Sequence, residues 1–301
     1  MDRLEAMSLV LAVAETGSLN GAARRLNTPA ATASRKISEL EAHLRAKLFD
    51  RSGKRLALTE AGSTYVAASK HILAEVEEAE RAASGEYTAA TGELVVTATV
   101  TLGRLHLVPV VADFLRAYPD IDIRLILEDQ VLGLREHHVD LALRIGELPD
   151  SRLIASRLGT IRRVMCASPG YLAAHGTPRT PADLGGHDCI SVGGFFGEFA
   201  TNTWTFVHDK TDIVVPVQPR LVVSNAEAAC EAARAGAGIA RVFSYHVASL
   251  VELGALTTVL DDYQPAPLPV SIVYAAGRFL PIKLRAFLDF ATPRLKARLA
   301  K

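Results

Sequence analysis

Residues 16–62 read TGSLNGAARRLNTPAATASRKISELEAHLRAKLFDRSGKRLALTEAG, and this stretch decides the architecture of the N-terminal part of the chain. Ser18 precedes a short alanine-rich segment, where its hydroxyl can accept a bond from an N–H group that the helix start leaves unpaired. After a three-residue turn, Thr28 and Pro29 repeat this start signal, a capping hydroxyl followed by proline at the first helical position. The second helix is expected to end near Leu44. Helix, tight turn and helix are the elements of a helix-turn-helix.

The second helix sorts its residues onto two faces. Ile37, Leu40 and Leu44 are spaced three and four apart, so they form an apolar stripe that we expect to be buried. The opposite face is small at its start and basic further on, which suits approach to base edges and phosphates. It consists of Ala30, Ala31, Thr32, Ser34, Arg35 and Lys36. Such a face is typical of a helix that enters a major groove.

A short β-hairpin is predicted over residues 48–59, with Ser52 and Gly53 at its tip. Three basic residues, Arg51, Lys54 and Arg55, flank this tip, where they can contact a phosphate backbone. Charge alone also fits a helical hairpin whose basic residues form only a solvated face. The order of the elements favours DNA binding.

Taken together, residues 1–62 resemble the winged helix-turn-helix of LysR-type transcriptional regulators. The matching stretches are Val13–Ser18, Ala22–Leu26, Ser34–Ile37, Leu40–Glu41, Leu48–Arg51 and Leu58–Gly62. The resemblance and the two faces give one set of expected DNA-binding residues. They are Ser18, Asn20, Thr28, Ala30, Ala31, Thr32, Ser34, Arg35, Lys36, Arg51, Lys54 and Arg55.

Two departures from the family pattern limit what this resemblance implies. The family usually begins its recognition helix with a Ser-Gln-Pro-Ala type run, whereas this chain has Pro29–Thr32. The family's glutamine contact is therefore absent, and its base preference does not carry over. Arg45 stands where the family generally has glycine, so we expect a tighter or more strained turn there.

Composition and charge fit a DNA-binding protein of more than one domain. The 301 residues predict about two domains. The net charge of zero hides an asymmetry, because residues 1–58 carry ten basic and six acidic side chains and the rest carry 23 and 27. A basic N-terminal module thus precedes a mildly acidic body. The first helix should bury Leu4, Met7, Leu11 and Ala14. Without a signal peptide or a long apolar run, we expect a cytoplasmic protein.

One long helix follows Gly62. Apolar or small residues recur every three or four positions in a heptad seam, formed by Tyr65, Ser69, Ile72, Val76, Ala79 and Ala83. The seam fits either a helix packed on its own domain or a dimerising linker, and we favour the linker because one winged helix reads only one half-site. The polar segment 84–92 then serves as a hinge. The expected domains are 1–58, 59–91 and 92–301, the last with lobe I at about 92–162 and 268–301 and lobe II at about 163–267.

Strands and helices alternate from Glu93 onward. The expected strands are Leu94–Val100, Ile121–Glu128, Asp140–Ile145, Ile154–Leu158, Arg163–Ala167, Cys189–Val192, Trp204–His208, Ile213–Val217, Arg220–Val223, Ile239–Phe243 and Val270–Tyr274. The expected helices are Arg104–Ala117, Leu132–His138, Pro169–His175, Ala226–Arg234 and Pro281–Leu299. This order predicts two α/β lobes with mostly parallel sheets.

Residues 92–301 resemble the effector-binding domain of the same family, which has the fold of type 2 periplasmic binding proteins. The matching stretches are Tyr118–Ile121, Asp140–Gly146 and Ala235–Ala240. The fold class is thus α/β, with a winged helix-turn-helix, a linker helix and a two-lobed effector domain. The resemblance also implies a homodimer or a homotetramer, an operator with inverted-repeat half-sites and RNA polymerase as a further partner.

A ligand site is expected in the cleft between the lobes, outside the carboxyl ends of the strands. Two of these ends precede helices, whose free N–H groups and dipole favour a small organic anion, of which an aromatic anion is one candidate. The hydroxyls also fit simple helix caps, and the phenylalanines also fit core packing. The candidates are Thr99, Val100, Thr101, Arg144, Ile145, Gly146, Gly193, Phe195, Phe196, Ser224 and Asn225.

Signals for catalysis are weak, and we expect no enzyme, cofactor or metal site. Gly236–Gly238 follows a helix and precedes a strand, the reverse of a dinucleotide loop, so it fits a helix-ending turn. His137 and His138 are adjacent rather than helically spaced. Cys166, Cys189 and Cys230 lack metal or redox spacing and fit buried thiols. A solute-binding or enzymatic protein that kept the helix-turn-helix only for oligomerisation remains the alternative.

Overall fold

The computed structural model describes residues 2–50, 56–84, 90–129, 133–134, 138–147, 153–193, 203–275 and 280–300. The chain divides into two units. The first is residues 1–92 with the short pieces 135–138 and 279–285, and the second contains the remainder.

The first unit contains the predicted helix-turn-helix and hairpin. Its elements are α1 (Arg3–Thr16), α2 (Leu19–Arg25), α3 (Ala30–Leu44), β1 (Phe49–Asp50), β2 (Ala57–Leu58) and α4 (Glu60–Ser84). Ser18 caps α2 as expected, since its Oγ accepts a bond of 2.9 Å from the N–H of Gly21. The predicted cap at Thr28 is wrong, because the Thr28 hydroxyl donates to the carbonyl of Leu26. Pro29 is itself the N-cap of α3, without a side-chain bond.

The core of this unit is made of small and aliphatic side chains from all three short helices and the hairpin. It contains Ala6, Leu9, Val10, Ala12, Val13, Ala22, Ala23, Ala33, Ile37, Leu40, Leu48 and Phe49. Two expectations about buried faces are wrong. Leu44 is 37% exposed because it lies in the last turn of α3, and Leu4 is 40% exposed. Helix α1 buries the face of Leu9 and Val13 instead of the predicted one.

The junction between the hairpin and α4 is held by Thr59 and Gly62. The Thr59 hydroxyl donates to the carbonyl of Lys47 at 2.6 Å and accepts from the N–H of Gly62 at 2.9 Å. A Cβ on Gly62 would lie 2.0 Å from the carbonyl oxygen of Leu48. Only glycine therefore lets α4 approach the start of the hairpin this closely.

Helix α4 uses the beginning of its heptad seam within its own unit. Tyr65 and the adjacent Val66 pack against the core of the helix-turn-helix. Ile72 is 37% exposed and Val76 is half-buried. The side chains of Ala79 and Ala83 lie outside the described residues. The first turns of α4 thus fit a helix packed on its own domain. Further along the helix, Ile72 is an exposed apolar side chain of the seam.

In the second unit, one five-stranded sheet has the order β4-β3-β5-β14-β6. Its strands are β3 (Gly92–Ala98), β4 (Ile121–Leu127), β5 (Leu141–Ile145), β6 (Leu153–Ile161) and β14 (Leu268–Ala275). It is flanked by α5 (Val100–Leu102), a π-helical turn (Gly103–Leu107), α6 (Val108–Ala117) and α10 (Ile282–Leu299). We call the part around this sheet lobe I.

The other five-stranded sheet, in what we call lobe II, has the order β11-β8-β12-β7-β13. Its strands are β7 (Arg163–Ala167), β8 (Cys189–Val192), β11 (Pro219–Val223), β12 (Ile239–Phe243) and β13 (Thr257–Val259). Beside it lie a hairpin of β9 (Thr203–His208) and β10 (Thr211–Pro216), and the helices α7 (Pro169–His175), α8 (Ala226–Arg234) and α9 (Ser244–Glu252). Short 3₁₀ helices span Pro181–Gly186 and Asp261–Tyr263.

Three predictions about these lobes need correction. The sheets are mixed rather than mostly parallel, since β14 runs antiparallel to β5 and β6, and β7 runs antiparallel to β12 and β13. Helix α9 and strand β13 were not predicted. In the segment predicted as a helix, Leu132–His138, the described residues Leu134 and His138 lie in turns, and His138 has a positive φ of 50°.

The predicted helix at residues 104–117 begins earlier and contains a π-helical turn. Pro109 explains this turn, since proline has no N–H to donate to the carbonyl of Leu105, four residues before it. The guanidinium of Arg298 on α10 donates to that carbonyl at 2.9 Å. Arg104 lies in this turn.

We predict that Gly62→Ala lowers the free energy of unfolding of the first unit by about 1–3 kcal/mol, as overpacking against an immobile backbone does. Differential scanning calorimetry of the full-length protein should show the corresponding transition at a lower temperature. Ser63→Ala, at the exposed neighbouring position, is the control and should change stability by less than about 0.5 kcal/mol. Equal transitions for the two variants would contradict the close approach at Gly62.

Candidate functional site

The solvent face of α3 is the candidate DNA-binding surface. Ala30, Ala31 and Arg35 are exposed, and Thr32 and Ser34 are half-buried. The first turn of this face is small because Ala30 and Ala31 have only methyl side chains. Ala33 and Ile37 are fully buried on the opposite side of the helix. Backbone or base edges of a duplex can therefore come close to the start of α3, with Arg35 one turn further on.

The two basic residues of α3 have different surroundings. Arg35 lies on the exposed face and forms an ion pair of 2.8 Å with Glu39 on the next turn. Such an exposed pair contributes about 0–1 kcal/mol, so the guanidinium can exchange Glu39 for a phosphate or a base. Lys36 points sideways to α1, where it pairs with Glu5, and its side chain is only 21% exposed. Arg35 is thus presented to a partner, whereas Lys36 joins two helices.

Residues of the turn before α3 line a shallow concave surface together with its first residue. Its walls are formed by Asn20, Ala23, Arg24, Asn27, Thr28, Pro29 and Ala30. Asn20 and Thr28 were expected at the DNA surface, whereas Arg24 and Asn27 were not predicted. The Ser18 hydroxyl is used as the cap of α2. Arg51, Lys54 and Arg55 lie outside the described residues.

A buried carboxylate fixes α3 against the hairpin. Glu41 is 3% exposed, and its Oε1 accepts bonds from the N–H groups of Leu48 at 2.9 Å and Phe49 at 3.3 Å. Its other oxygen accepts from Lys47 Nζ at 2.8 Å. Burial raises the pKa of Glu41, but the bonds from Lys47 and the two amides outweigh it and hold the pKa below its usual value. The sequence pattern did not show this role.

The turn after α3 is strained at Arg45, as the comparison with a family glycine suggested. Arg45 adopts a left-handed conformation with φ 53° and ψ 32°. A residue with a side chain costs about 1–2 kcal/mol in this region. Its N–H bonds the carbonyl of Ala42, and the N–H of Ala46 bonds that of Glu41, so the turn still closes the helix.

The candidate ligand site is a cavity of about 250 Å³ with walls from both lobes. Thr99 and Asp129, which follow β3 and β4, form the wall in lobe I. Lobe II contributes residues at the ends of its strands and at the start of α8 and α9. These are Arg163, Ser191, Val192, Trp204, Ala226, Arg241, Val242, Phe243, Tyr245 and His246. This is the cleft position expected for the fold.

Two arginine side chains give the cavity positive charge. Arg241 on β12 lies two residues before Phe243, which pairs across the sheet with Arg163 of β7. Burial lowers the pKa of Arg163, and burial together with the charge of Arg163 lowers the pKa of Arg241 to about 10. Both remain charged at neutral pH. Within the described part of the chain, neither forms an ion pair with an acidic residue.

Aromatic rings surround these two cations. The guanidinium carbon of Arg241 lies 6.0 Å from the ring centre of Trp204 and 5.8 Å from that of Phe206. That of Arg163 lies 5.2 Å from the ring centre of Phe243. Arg241 also donates to the carbonyl of Thr205 at 2.9 Å. The rings and this bond hold the guanidinium of Arg241 in place without neutralising it.

At each of the two helix starts that we expected to bind an anion, one N–H group donates to a side chain of the protein. The N–H of Val100 donates to Asp129 Oδ1 at 3.1 Å, and the N–H of Ala228 donates to Asn225 Oδ1 at 2.8 Å. One N–H group of each helix start is therefore already bonded within the protein. In the structure, the positive charge of the cavity comes from Arg163 and Arg241 instead.

Of the predicted effector-binding residues, Thr99 lies on the cavity wall. Val100 and Thr101 follow it in α5, and Thr101 bonds Glu227. The other described candidates are not among the described residues that line the cavity. These are Arg144 and Ile145 in β5, Gly146, Gly193, Ser224 and Asn225. Phe195 and Phe196 lie outside the described residues.

The sequence reading missed the arginines and most of the aromatic wall. Arg163 and Arg241 stand within strands, a position that usually indicates sheet packing rather than a ligand site. Tyr245 and His246 belong to α9, which was not predicted. The signal at Arg241 is weak, a basic residue within an apolar strand that is followed by Phe243 and Tyr245.

Other candidate features have structural roles. Cys166, Cys189 and Cys230 are buried free thiols, and burial raises their pKa values to about 12, 11 and 11. The turn Gly236–Gly238 ends α8, as predicted. In the described ranges, no group of three or more metal-binding side chains is found.

Among helices whose residues are described, none has the length and apolar character that spanning a membrane requires.

Comparison with known protein families gives two matches. Residues 4–63 match the profile of the bacterial regulatory helix-turn-helix protein, lysR family. Residues 88–296 match that of the LysR substrate binding domain. Together the two matches cover the helix-turn-helix, most of the second unit and the cavity.

Individual relatives match along nearly the whole chain. An HTH-type transcriptional regulator of Xanthomonas campestris is 34% identical over 284 residues, which are 94% of this chain and 83% of that protein. The structure of CrgA, a LysR-type transcriptional regulator from Neisseria meningitidis, has 31% identity and a TM-score of 0.60 and covers 99% of both chains. The Vibrio cholerae virulence activator AphB has 27% identity and a TM-score of 0.61, over 96% of this chain and 98% of that one.

We predict that Glu41→Gln destabilises the contact between α3 and the hairpin by about 1–3 kcal/mol at pH 7, since a charged acceptor of two amides is lost. Because the pKa of Glu41 is lowered in the fold, its stabilisation is present above about pH 4.5 and is lost as the pH falls through the folded pKa. The difference between wild type and variant should therefore shrink in acid. Native-state hydrogen exchange of peptides from residues 30–50 measures it.

The control for this prediction is Glu39→Gln, on the same helix but exposed. It should change exchange little at either pH. A difference between wild type and Glu41→Gln that stays constant from pH 7 to pH 3.5 would contradict the role of the carboxylate.

Proposed function

Because this chain belongs to the LysR family of bacterial transcriptional regulators, we propose that it binds operator DNA through the exposed face of α3 and responds to a small organic anion held between its lobes. Its homologues are transcriptional regulators, so the protein is a regulator and not an enzyme. The observation that carries the ligand proposal is the pair Arg163 and Arg241, two cations in one cavity without acidic partners among the described residues.

The DNA part of the proposal requires two copies of the chain. One winged helix reads one half-site, whereas two-fold pairing presents two copies of α3 to an inverted repeat. The exposed Ile72 supports α4 as the pairing element, because it continues the heptad seam beyond Tyr65, which packs within its own unit. We propose a homodimer on the operator, with a homotetramer as the assembly of two such dimers, acting in the cytoplasm.

The charge of the cavity supports an anion with one negative charge. Among its described lining residues, Arg163 and Arg241 are cationic and Asp129 is acidic. Asp129 already accepts the N–H of Val100, and burial lowers the pKa of His246, which is therefore neutral at pH 7. One positive charge is left in excess. A carboxylate that accepts bonds from both guanidinium groups would neutralise it and lower the cost of their burial.

The size and lining of the cavity support an aromatic ring on that anion. A cavity of about 150 Å³ holds benzene, and this one has about 250 Å³. Trp204, Phe243 and Tyr245 offer ring faces and edges to a planar ligand. A single substituted ring with a carboxylate therefore fits both the volume and the charge.

We predict that Arg35→Ala weakens binding to the DNA upstream of the protein's own gene by about 1–3 kcal/mol, because the residue lies on the exposed face of α3. Gel-shift titrations at several salt concentrations measure the affinity and its salt dependence. Loss of a phosphate contact would also reduce the salt slope by about 1.

The matched control is Arg116→Ala, another exposed helical arginine that is paired with a carboxylate three residues away. It lies in lobe I and should leave DNA affinity unchanged. An affinity that Arg35→Ala leaves unchanged, or that falls equally with Arg116→Ala, would reject α3 as the reading surface.

We predict that benzoate binds the full-length protein and that Arg241→Gln weakens this binding at least tenfold, about 1.4 kcal/mol. Isothermal titration calorimetry measures both affinities. Benzamide has the same ring without the charge and should bind far more weakly to the wild type.

Arg220→Gln is the control for lobe II, since Arg220 is exposed and paired with Asp188. It should bind benzoate like the wild type. Equal affinity for benzoate and benzamide would contradict an anion site, and unchanged affinity in Arg241→Gln would move the site away from this cavity.

A further inference from the structure

The carboxylate of Glu227 joins the two lobes beside the cavity. Glu227, in the first turn of α8, accepts a hydrogen bond of 3.1 Å from the hydroxyl of Thr101 and one of 2.7 Å from the guanidinium of Arg104. Both bonds end on the same oxygen, Oε1. Thr101 and Arg104 belong to lobe I and Glu227 to lobe II, so this contact, which we call the clasp, spans the cleft.

The clasp lies at the rim of the ligand cavity. Ala226, the residue before Glu227, lines the cavity from lobe II, and Thr99, two residues before Thr101, lines it from lobe I. A change in the distance between these two walls must therefore stretch or break the bonds of Glu227. The clasp forms at the spacing that gives a cavity of about 250 Å³.

The strength of the clasp fits a contact that opens and closes. The side chains of Arg104 and Glu227 are 58% and 52% exposed, so water screens their attraction. Exposed ion pairs of this kind change an equilibrium by at most about fivefold. The bonds from Arg104 and Thr101 hold the pKa of Glu227 below its usual value, so the carboxylate stays ionised at neutral pH.

We propose that Glu227 is a positioning residue that holds the two lobes at the spacing at which the cavity takes its ligand. The regulatory meaning of this role rests on the proposed anion site. When the lobes part, the clasp breaks, and a ligand that bridges Thr99 and Arg241 favours the spacing at which it re-forms. Ligand affinity and lobe closure are thus coupled through one carboxylate at the rim.

Hydrogen exchange of the full-length protein tests the clasp without a ligand. In Glu227→Ala, exchange should rise up to about fivefold in peptides covering residues 99–107. These peptides belong to lobe I, so the effect would appear in the lobe that does not carry the substitution. Glu227→Gln keeps an acceptor oxygen but loses the charge, and its exchange should lie between those of the wild type and Glu227→Ala.

The matched control is Glu231→Ala on the same helix, where Glu231 pairs with Arg234 within α8. It should leave exchange at residues 99–107 unchanged. The proposal is overturned if Glu227→Ala leaves these peptides at the wild-type rate, or if Glu231→Ala raises their exchange equally.

Benzoate affinity gives a second measurement. Glu227→Ala should raise the Kd for benzoate by a factor similar to the change in exchange, with no change in DNA affinity in its absence. An unchanged Kd alongside faster exchange would overturn the coupling between the clasp and the ligand. If wild-type protein does not bind benzoate, the anion proposal fails separately, and the exchange data still decide whether the clasp exists.

Discussion

The orientation of the DNA-facing helix depends on the bonds that the buried carboxylate of Glu41 makes with the start of the hairpin. Two amides, those of Leu48 and Phe49, would be unpaired in a buried setting without it. The hydroxyl of Thr59 and the close approach at Gly62 then place α4 against the same point. Helix, hairpin and linker thus meet at one junction, so the direction of α3 and that of α4 are set together.

The cavity of the second unit differs from this junction, because its two arginines have no acidic ion-pair partner among the described residues. Arg163 and Arg241 are surrounded by rings and remain protonated, although burial lowers their pKa values. Folding alone gains little from two such neighbours, which repel each other. In the function proposed above, an anionic ligand would compensate this charge and stabilise the folded protein by binding to it. The clasp at Glu227 lies beside it and has the modest strength that an adjustable contact requires.

Particular residues show where sequence reasoning succeeded and why. The spacing from Ser18 to Gly62 predicted two helices and the hairpin, because caps, turn lengths and apolar periods are local properties. The strands at Cys189–Val192 and Ile239–Phe243 and the helix at Ala226–Arg234 were predicted with the bounds that the structure has. Leu4 was assigned to a face that α1 does not bury, and Leu44 lies in the exposed last turn of α3, since amphipathic spacing does not say which neighbour covers a stripe. The sequence pattern also does not give strand direction, and the sheets are mixed rather than mostly parallel.

The sequence by itself determined the family, the helix-turn-helix and the presence of two α/β lobes, since each rests on local patterns and their order. Only the tertiary structure decided which side chains meet. It brought Arg163 and Arg241 from separate strands into one cavity, paired Lys36 with Glu5, and closed the clasp between Arg104 and Glu227 across 123 residues of chain. Such contacts depend on strand order and on the packing of lobes, which chain spacing does not encode in any local signal.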